Sequence, residues 1–290
     1  MKKIWLMLLF AFAICGSLYA KKINAEGNPG KKSIDVLVIT DKKCPFCIIS
    51  PTEKYLKKIL GEINFKIIDY REPKAKKLIR KCNINYLPSF LIPDKINNKD
   101  VFSIIADHAK KKDGYLILSK ELSGEFMLLD RRKIPSRIDV FFSLYDNNLA
   151  GVLKSLKKFC KDKRISFGIH IIDKQKDTPF VALAQREEKE RLLAVEMVYP
   201  SKFWSYLMKR IDNINSTFWI NDMESAGIDY SKIKGLIHSD KIKVIANKSS
   251  ALSRELGIRG GIVMLVDNIM IFRVYNIQRG NLEAIMKYVQ

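Results

Sequence analysis

Histidine and cysteine are scarce. Three histidines and five cysteines in 290 residues are too few for a scaffold built on disulfides. No second Cys-x-x-Cys is present, and no histidine lies near the one that is, so a zinc site there would lack two ligands. Glycine and proline are also sparse, at 14 and 9, no segment is low-complexity, and 47% of residues are hydrophobic, so a packed core is expected rather than disorder. Acidic residues are short against basic ones, 31 to 52, giving a net charge of +21. That surplus would suit an anionic surface or acidic partners. The lysines are spread along the chain, however, with no long basic block interleaved with aromatics. Compositional bias is the simpler reading, and no nucleic-acid partner is expected.

One long apolar run is present. Lys2 and Lys3 precede IWLMLLFAFAIC at 4–15, and GSLYA ends on Ala20. This reads as a secretory signal over 1–20, cleaved after Ala20, with an uncleaved anchor over 4–20 as the alternative. Cys15-Gly16 hints at a lipoprotein site, but Ile14 suits one poorly. The protein is therefore expected to be exported, to the periplasm or another extracytoplasmic space. Cys44, Cys47, Cys82 and Cys160 remain in the mature chain. Length alone allows two domains.

IDVLVIT at 34–40 reads as a buried strand, 47–60 as an amphipathic helix, INFKIID at 63–69 as a second strand, 74–82 as a helix and PSFLIP at 88–93 as a third strand. IDVFF at 138–142 repeats the earlier IDV, a helix follows at 149–162, and a strand at 165–172. The order of elements suggests duplication. A mostly helical region intervenes at about 178–240, before a helix at 248–256, two strands at 262–267 and 269–275 turning at Asp267-Asn268, and a closing helix at about 279–289. GYLILSK and GEFMLLD suggest a hairpin across Ser123-Gly124.

The chemistry centres on DKKCPFC, residues 41–47. If the helix begins here, Pro45 takes its first position, and Cys44 sits at the positive end of the helix dipole, near Lys43 and Lys42. That environment favours a thiolate at Cys44. Cys47, three residues on, lies within disulfide reach and would act as the resolving thiol. A redox pair is the preferred reading. A metal clip and a plain staple are the alternatives, and a disulfide closing so small a loop stabilises little.

Strand–CPFC–helix followed by Tyr86-Leu87-Pro88-Ser89-Phe90 resembles the thioredoxin superfamily. The resemblance implies tandem thioredoxin-like α/β folds: a redox domain over 33–134 and a degenerate DsbA-like domain over 135–290 with the helical insertion. It implies that Pro88 is the cis-proline facing the motif, and that Pro88 and the backbone at Leu87 hold a substrate strand. Pro51 resembles the helix-kinking proline of thioredoxins, and CPFC, with Phe46, resembles the motifs of glutaredoxins and DsbA-type oxidases. LGIRGGIVMLVDN at 256–268 resembles the DsbA-like cis-proline segment, with Gly261 and Ile262 in place of Thr-Pro; Asn148 and Gly151 stand where the cysteines would. The activity implied by the resemblance is that of an exported thiol–disulfide oxidoreductase of the oxidase or isomerase type. It would use protein or peptide thiols as substrates and no metal or organic cofactor beyond the Cys44–Cys47 disulfide. A membrane redox partner, and a second copy of the chain docked through the second domain, are the further partners implied. A reductase fed by a membrane donor and a non-catalytic envelope scaffold are the alternatives.

Cys82 and Cys160 read as buried helix residues, although a bridge between them is conceivable in an oxidising compartment. His108, His170 and His238 are scattered, and His170 reads as structural. Phe203, Trp204 and Tyr206 read as core of the insertion, and REEKER at 186–191 as a solvated helix face.

Overall fold

The computed structural model describes residues 33–95, 105, 107–124, 127–172, 179–274 and 279–289. The signal or anchor reading of 1–20 lies outside them. In the first half, β1 (Ile34–Thr40) leads through a turn-rich loop to α1 (Ser50–Leu60), β2 (Ile63–Asp69), α2 (Pro73–Cys82), β3 (Tyr86–Leu87) and β4 (Ser89–Pro93). Then come β5 (Ala109–Lys112), β6 (Tyr115–Leu118), a single turn α3 (Lys120–Ser123) and β7 (Met127–Leu128). The second half runs β8 (Arg137–Phe142), α4 (Leu149–Lys163), β9 (Ser166–Ile171), α5 (Pro179–Val198), α6 (Pro200–Asp212) and α7 (Trp219–Ser225). It continues through a 3-10 turn (Tyr230–Lys232), α8 (Lys234–Ile237), α9 (Asp240–Glu255), β10 (Val263–Val266), β11 (Met270–Arg273) and α10 (Arg279–Val289).

Two sheets result. The first has the order β2-β1-β4-β6-β5, the second β9-β8-β10-β11-β7-β3. Each starts with a parallel pair joined through a helix, β1 with β2 and β8 with β9, and each then adds an antiparallel neighbour, β4 or β10. The two sheets thus share one order of these strands. β1 is buried along most of its length because helices cover both faces of its sheet, which is what the apolar run at 36–39 requires. Val36, Val38, Phe90 and Ile92 pack under Leu56 and Leu60 of α1 on one face; Leu37, Ile39 and Leu91 pack against Ala75 and Cys82 of α2 on the other.

Several expectations need correction. α1 starts at Ser50, with Pro51 in its first turn, so Pro45 is not a helical residue and Pro51 does not kink a helix. Proline lacks the N–H for an i→i−4 bond, and its ring clashes with the carbonyl four residues back, so a helix starting at 47 would be broken at Pro51. The Ser123-Gly124 hairpin is absent: β6 pairs with β5 across Asp113-Gly114, both at positive φ, while β7 joins the second sheet. α9 begins eight residues earlier than expected, at Asp240, where the Ser239 hydroxyl caps the backbone N–H of Ile242. The REEKER run is not solvated throughout. Glu188, Lys189, Glu190 and Arg191 are buried, because α5 is wrapped by α6, α8 and α9. The Asp267-Asn268 turn forms as expected, with both residues at positive φ. Phe203 and Tyr206 are buried in the core around the insertion. Cys82 and Cys160 are free thiols in two different cores, which removes the bridge between them.

Candidate active site

β1 and β4 run antiparallel with Ile39 opposite Ser89, so the chain leaving β1 toward Cys44 and the chain entering β4 from Pro88 lie at one end of the sheet. The Leu87–Pro88 bond is cis. Cys44 and Cys47 are joined by a disulfide, with Cα atoms 5.4 Å apart. The loop is held by its own backbone: Cys44 N–H donates to the Asp41 carbonyl at 3.0 Å, and Cys47 N–H to that of Cys44 at 3.4 Å. Because α1 starts six residues after Cys44, the helix-dipole argument for this cysteine does not apply. Lys43 and Pro45 are exposed and Phe46 is half-buried.

A carboxylate anchors the loop from beneath. Asp41 is 3% exposed. Its Oδ1 accepts from Lys43 N–H at 2.9 Å, and its Oδ2 from the Arg71 guanidinium at 2.7 Å and the Tyr288 hydroxyl at 2.5 Å. Burial and the adjacent Asp41 carboxylate push the Tyr288 hydroxyl pKa up. Beside it, Asp69 accepts from the backbone N–H of Lys42 and of Arg71. Burial opposes the Asp69 charge, but those two donors outweigh it and hold the carboxyl below its usual range. The Lys42 ammonium is paired with Glu72 at 3.1 Å.

The second half forms a wall. Cys44 is only 9% exposed and belongs to the core built by Ile138, Leu149, Phe272 and Met286, among others; Cys47 is half-exposed. The Phe46 ring sits edge-on to Phe272, with centroids 5.8 Å apart, and to Tyr288 at 6.4 Å. On the proline side, Leu87 and Pro88 are buried. Leu87 pairs with Met127 and Tyr86 with Leu128, while Met127 pairs on its other side with Met270 of β11.

No protein-family profile matches this sequence, and no curated protein matches it. Among solved structures, the chain is similar to the thiol-disulfide exchange protein alpha-DsbA2 from Wolbachia pipientis. The identity is 16% and the TM-score 0.45, over 53% of this chain and 81% of that one. It is also similar to a thioredoxin-like oxidoreductase from Silicibacter pomeroyi, at 13% identity and TM-score 0.42, over 53% and 85%. A Proteus mirabilis DsbA bound non-covalently to a peptide matches at 16% and 0.41, over 52% and 86%.

The structure thus places Cys44, Cys47, Leu87 and Pro88 at one sheet end, with Lys43, Pro45 and Phe46 on the loop between. Asp41, Met127, Phe272 and Tyr288 were not singled out from the sequence. Asp41 carried one signal, an acidic residue directly after a buried strand and before two lysines. Met127 and Tyr288 carried none, since their roles come from contacts across the chain. The corresponding position in the second half is bare of thiols: Phe141 lies opposite Val263, as Leu37 lies opposite Leu91, and Asn148, Gly260 and Gly261 line a small cavity of about 240 Å³ there. Among the described residues, no group of three or more His, Cys, Asp or Glu side chains is placed to hold a metal ion.

Proposed function

We propose that this chain is an exported thiol–disulfide oxidoreductase of the oxidase or isomerase type. The first half, 33–134, performs the exchange, and the second, 135–290, is a degenerate thioredoxin-like unit. The observation that carries this reading is the Cys44–Cys47 disulfide at the sheet end where the cis Leu87–Pro88 bond lies. In the oxidase direction, a substrate thiolate attacks the Cys44 sulfur, the Cys44–Cys47 bond breaks, and Cys47 leaves as a thiolate. A second substrate thiolate then attacks the substrate sulfur of the mixed disulfide. The substrate disulfide forms and Cys44 leaves as a thiolate. Two electrons pass from the substrate dithiol to the cysteine pair, and turnover needs a redox partner that removes them again. Leu87 and Pro88 would align the substrate, and Lys43 would favour the Cys44 thiolate electrostatically.

The test is the reduction potential of the pair in glutathione buffers, with the pH dependence of Cys44 alkylation alongside. A potential near about −120 mV with an acidic Cys44 fits an oxidant, and one near about −270 mV a reductant that needs an electron donor. A pair that does not cycle, with Cys44 and Cys47 alkylating slowly and alike, would end the enzyme reading. It would favour a non-catalytic binding protein, which the burial of Cys44 against the second half would also suit.

A further inference from the structure

An exchange site must admit a thiolate along the axis of the disulfide, and a peptide must lie beside it. In this structure the peptide's place is taken by the chain itself, and Cys44 is almost fully buried. β7 lies between the two halves. Leu129 N–H donates to the Asn85 carbonyl at 2.8 Å, and Leu128 N–H to the Ile269 carbonyl at 2.8 Å. Successive amides thus bind first-half and second-half backbone in turn. The residue opposite Leu87, next to the cis-proline, is Met127, which also packs against both the core around Cys44 and the core around Leu87. Phe46 meanwhile faces Phe272 and Tyr288, and Cys44 is buried in the same core as Phe272.

We infer that β7 and the Phe272–Tyr288 face close the exchange site, as an intramolecular competitor for protein substrates. An extended peptide with apolar residues flanking its cysteine replaces Met127–Leu128 at the edge of Leu87 and lifts Phe46 from its two aromatic neighbours. This rests on the proposed exchange activity and adds its regulation.

The closure is built to yield. β7 has two residues, and it matches β11 at a single pair. Its pairings, two residues with β3 and one with β11, are short rather than a long ladder. The aromatic contacts are edge-on and centre on one half-buried ring, Phe46. Access is also asymmetric. Cys47 is half-exposed and Ile48 beside it is 59% exposed, so a small thiol can approach the disulfide from that side without opening the site. A folded or extended polypeptide cannot reach the Leu87 edge while Met127 occupies it.

The test compares a small thiol with a protein thiol. Dithiothreitol and reduced, unfolded ribonuclease A are each reacted with the oxidised wild type and with Tyr288→Phe. Loss of the Tyr288–Asp41 hydrogen bond is expected to raise the rate with ribonuclease about fivefold more than the rate with dithiothreitol, by shifting the opening equilibrium. If dithiothreitol does not cycle the native pair, the exchange reading itself fails. If it does, and the ribonuclease rate rises no more than the dithiothreitol rate, the closure is refuted. A second measurement is independent of that variant. In Cys47→Ser, the Cys44 thiolate attacks a short synthetic peptide whose single cysteine, between leucines, is activated as an aryl disulfide. The peptide–Cys44 disulfide forms and the aryl thiolate leaves. Hydrogen exchange at Leu128 and Leu129 is expected to rise at least about tenfold once the peptide is attached. Unchanged protection there would show that substrate does not displace β7 and would overturn the proposal.

Discussion

The Tyr288 hydroxyl donates to Asp41 Oδ2 across 247 residues of sequence, tying the last helix to the loop that carries the disulfide. Asp41 is the hub of that tie, because Arg71 and the Lys43 amide share the same carboxylate. Asp41→Ala should therefore cost more than the loss of any one partner, about 2–3 kcal/mol, since it strands the Tyr288 hydroxyl and the Lys43 amide together. Arg71 is 42% exposed, and water would take over most of its share. Tyr288→Phe should cost about 1 kcal/mol. Urea unfolding of both variants checks the ordering. Equal losses would mean that the carboxylate does not organise the loop.

How much of the fold is legible in the sequence depends on the range of the interactions. β1 and β8 are legible because a strand buried on both faces reads as a mostly apolar run, β2 and β9 because β-branched and aromatic residues recur along partly exposed strands, and α4 because its apolar face repeats at helical spacing. Asp267-Asn268 is legible because few residue pairs accept two positive φ values. The start of α1 is legible once Pro51 is weighed as a helix-start residue rather than as a kink. β7 is not, because two residues have no periodicity. Its place in the second sheet is set by Leu87 and Met270, each far away in sequence. At the site, Cys44, Cys47 and Pro88 declare themselves by residue type. The burial of Cys44 in a core made largely of second-half residues, with Phe46 against Phe272 and Tyr288, is a property of how the halves pack, which no local pattern encodes.

Asp139, one strand into the second half, gives a pH signature. Burial opposes its charge, but hydrogen bonds from His170, at 3.0 Å, and from Arg137, at 2.6 and 2.8 Å, bring its pKa down to about 2. Since the folded value lies below the unfolded one, the stabilisation is complete above about pH 4 and is lost as the pH falls toward 2. Roughly 2 kcal/mol should disappear over that interval in the wild type, and Asp139→Asn should lack that component. Gly168→Ala should mimic the loss at neutral pH. A Cβ there would come within 2.1 Å of Asp139 Oδ1, and three hydrogen bonds stop that carboxylate from moving aside. Denaturant midpoints between pH 2 and 7 decide the matter. A wild type and Asp139→Asn with parallel profiles would contradict it.

Arg210 explains why Glu188 of α5 is buried. It is 2% exposed, with its guanidinium 3.1 Å from Glu188 and 2.7 Å from Asp222, and Glu188 also accepts from Arg191. Removing one member leaves an uncompensated charge inside the helical insertion. Arg210→Met should destabilise by about 3–5 kcal/mol. The combined change Arg210→Met, Glu188→Gln should recover part of that, because the stranded carboxylate is gone. A double variant as unstable as the sum of the singles would mean that the two groups act independently.

Cys160 and Cys82 set the background against which any redox measurement is read. Burial pushes the Cys160 thiol up to about 12, and burial together with nearby Asp113 raises that of Cys82. Both are about 1% exposed. A thiol so far above neutral pH and so shielded presents almost no thiolate to an alkylating reagent. After reduction under native conditions at pH 8, mass spectrometry should find iodoacetamide on Cys44 and Cys47 well before Cys82 or Cys160, and on all four once denaturant is added. Early label on Cys160 would mean that the core around α4 opens readily. Without early label on Cys160 or Cys82, exchange among these four cysteines in the folded protein belongs to the CPFC pair, and a potential measured on a chain lacking residues 1–20 is the potential of Cys44 and Cys47.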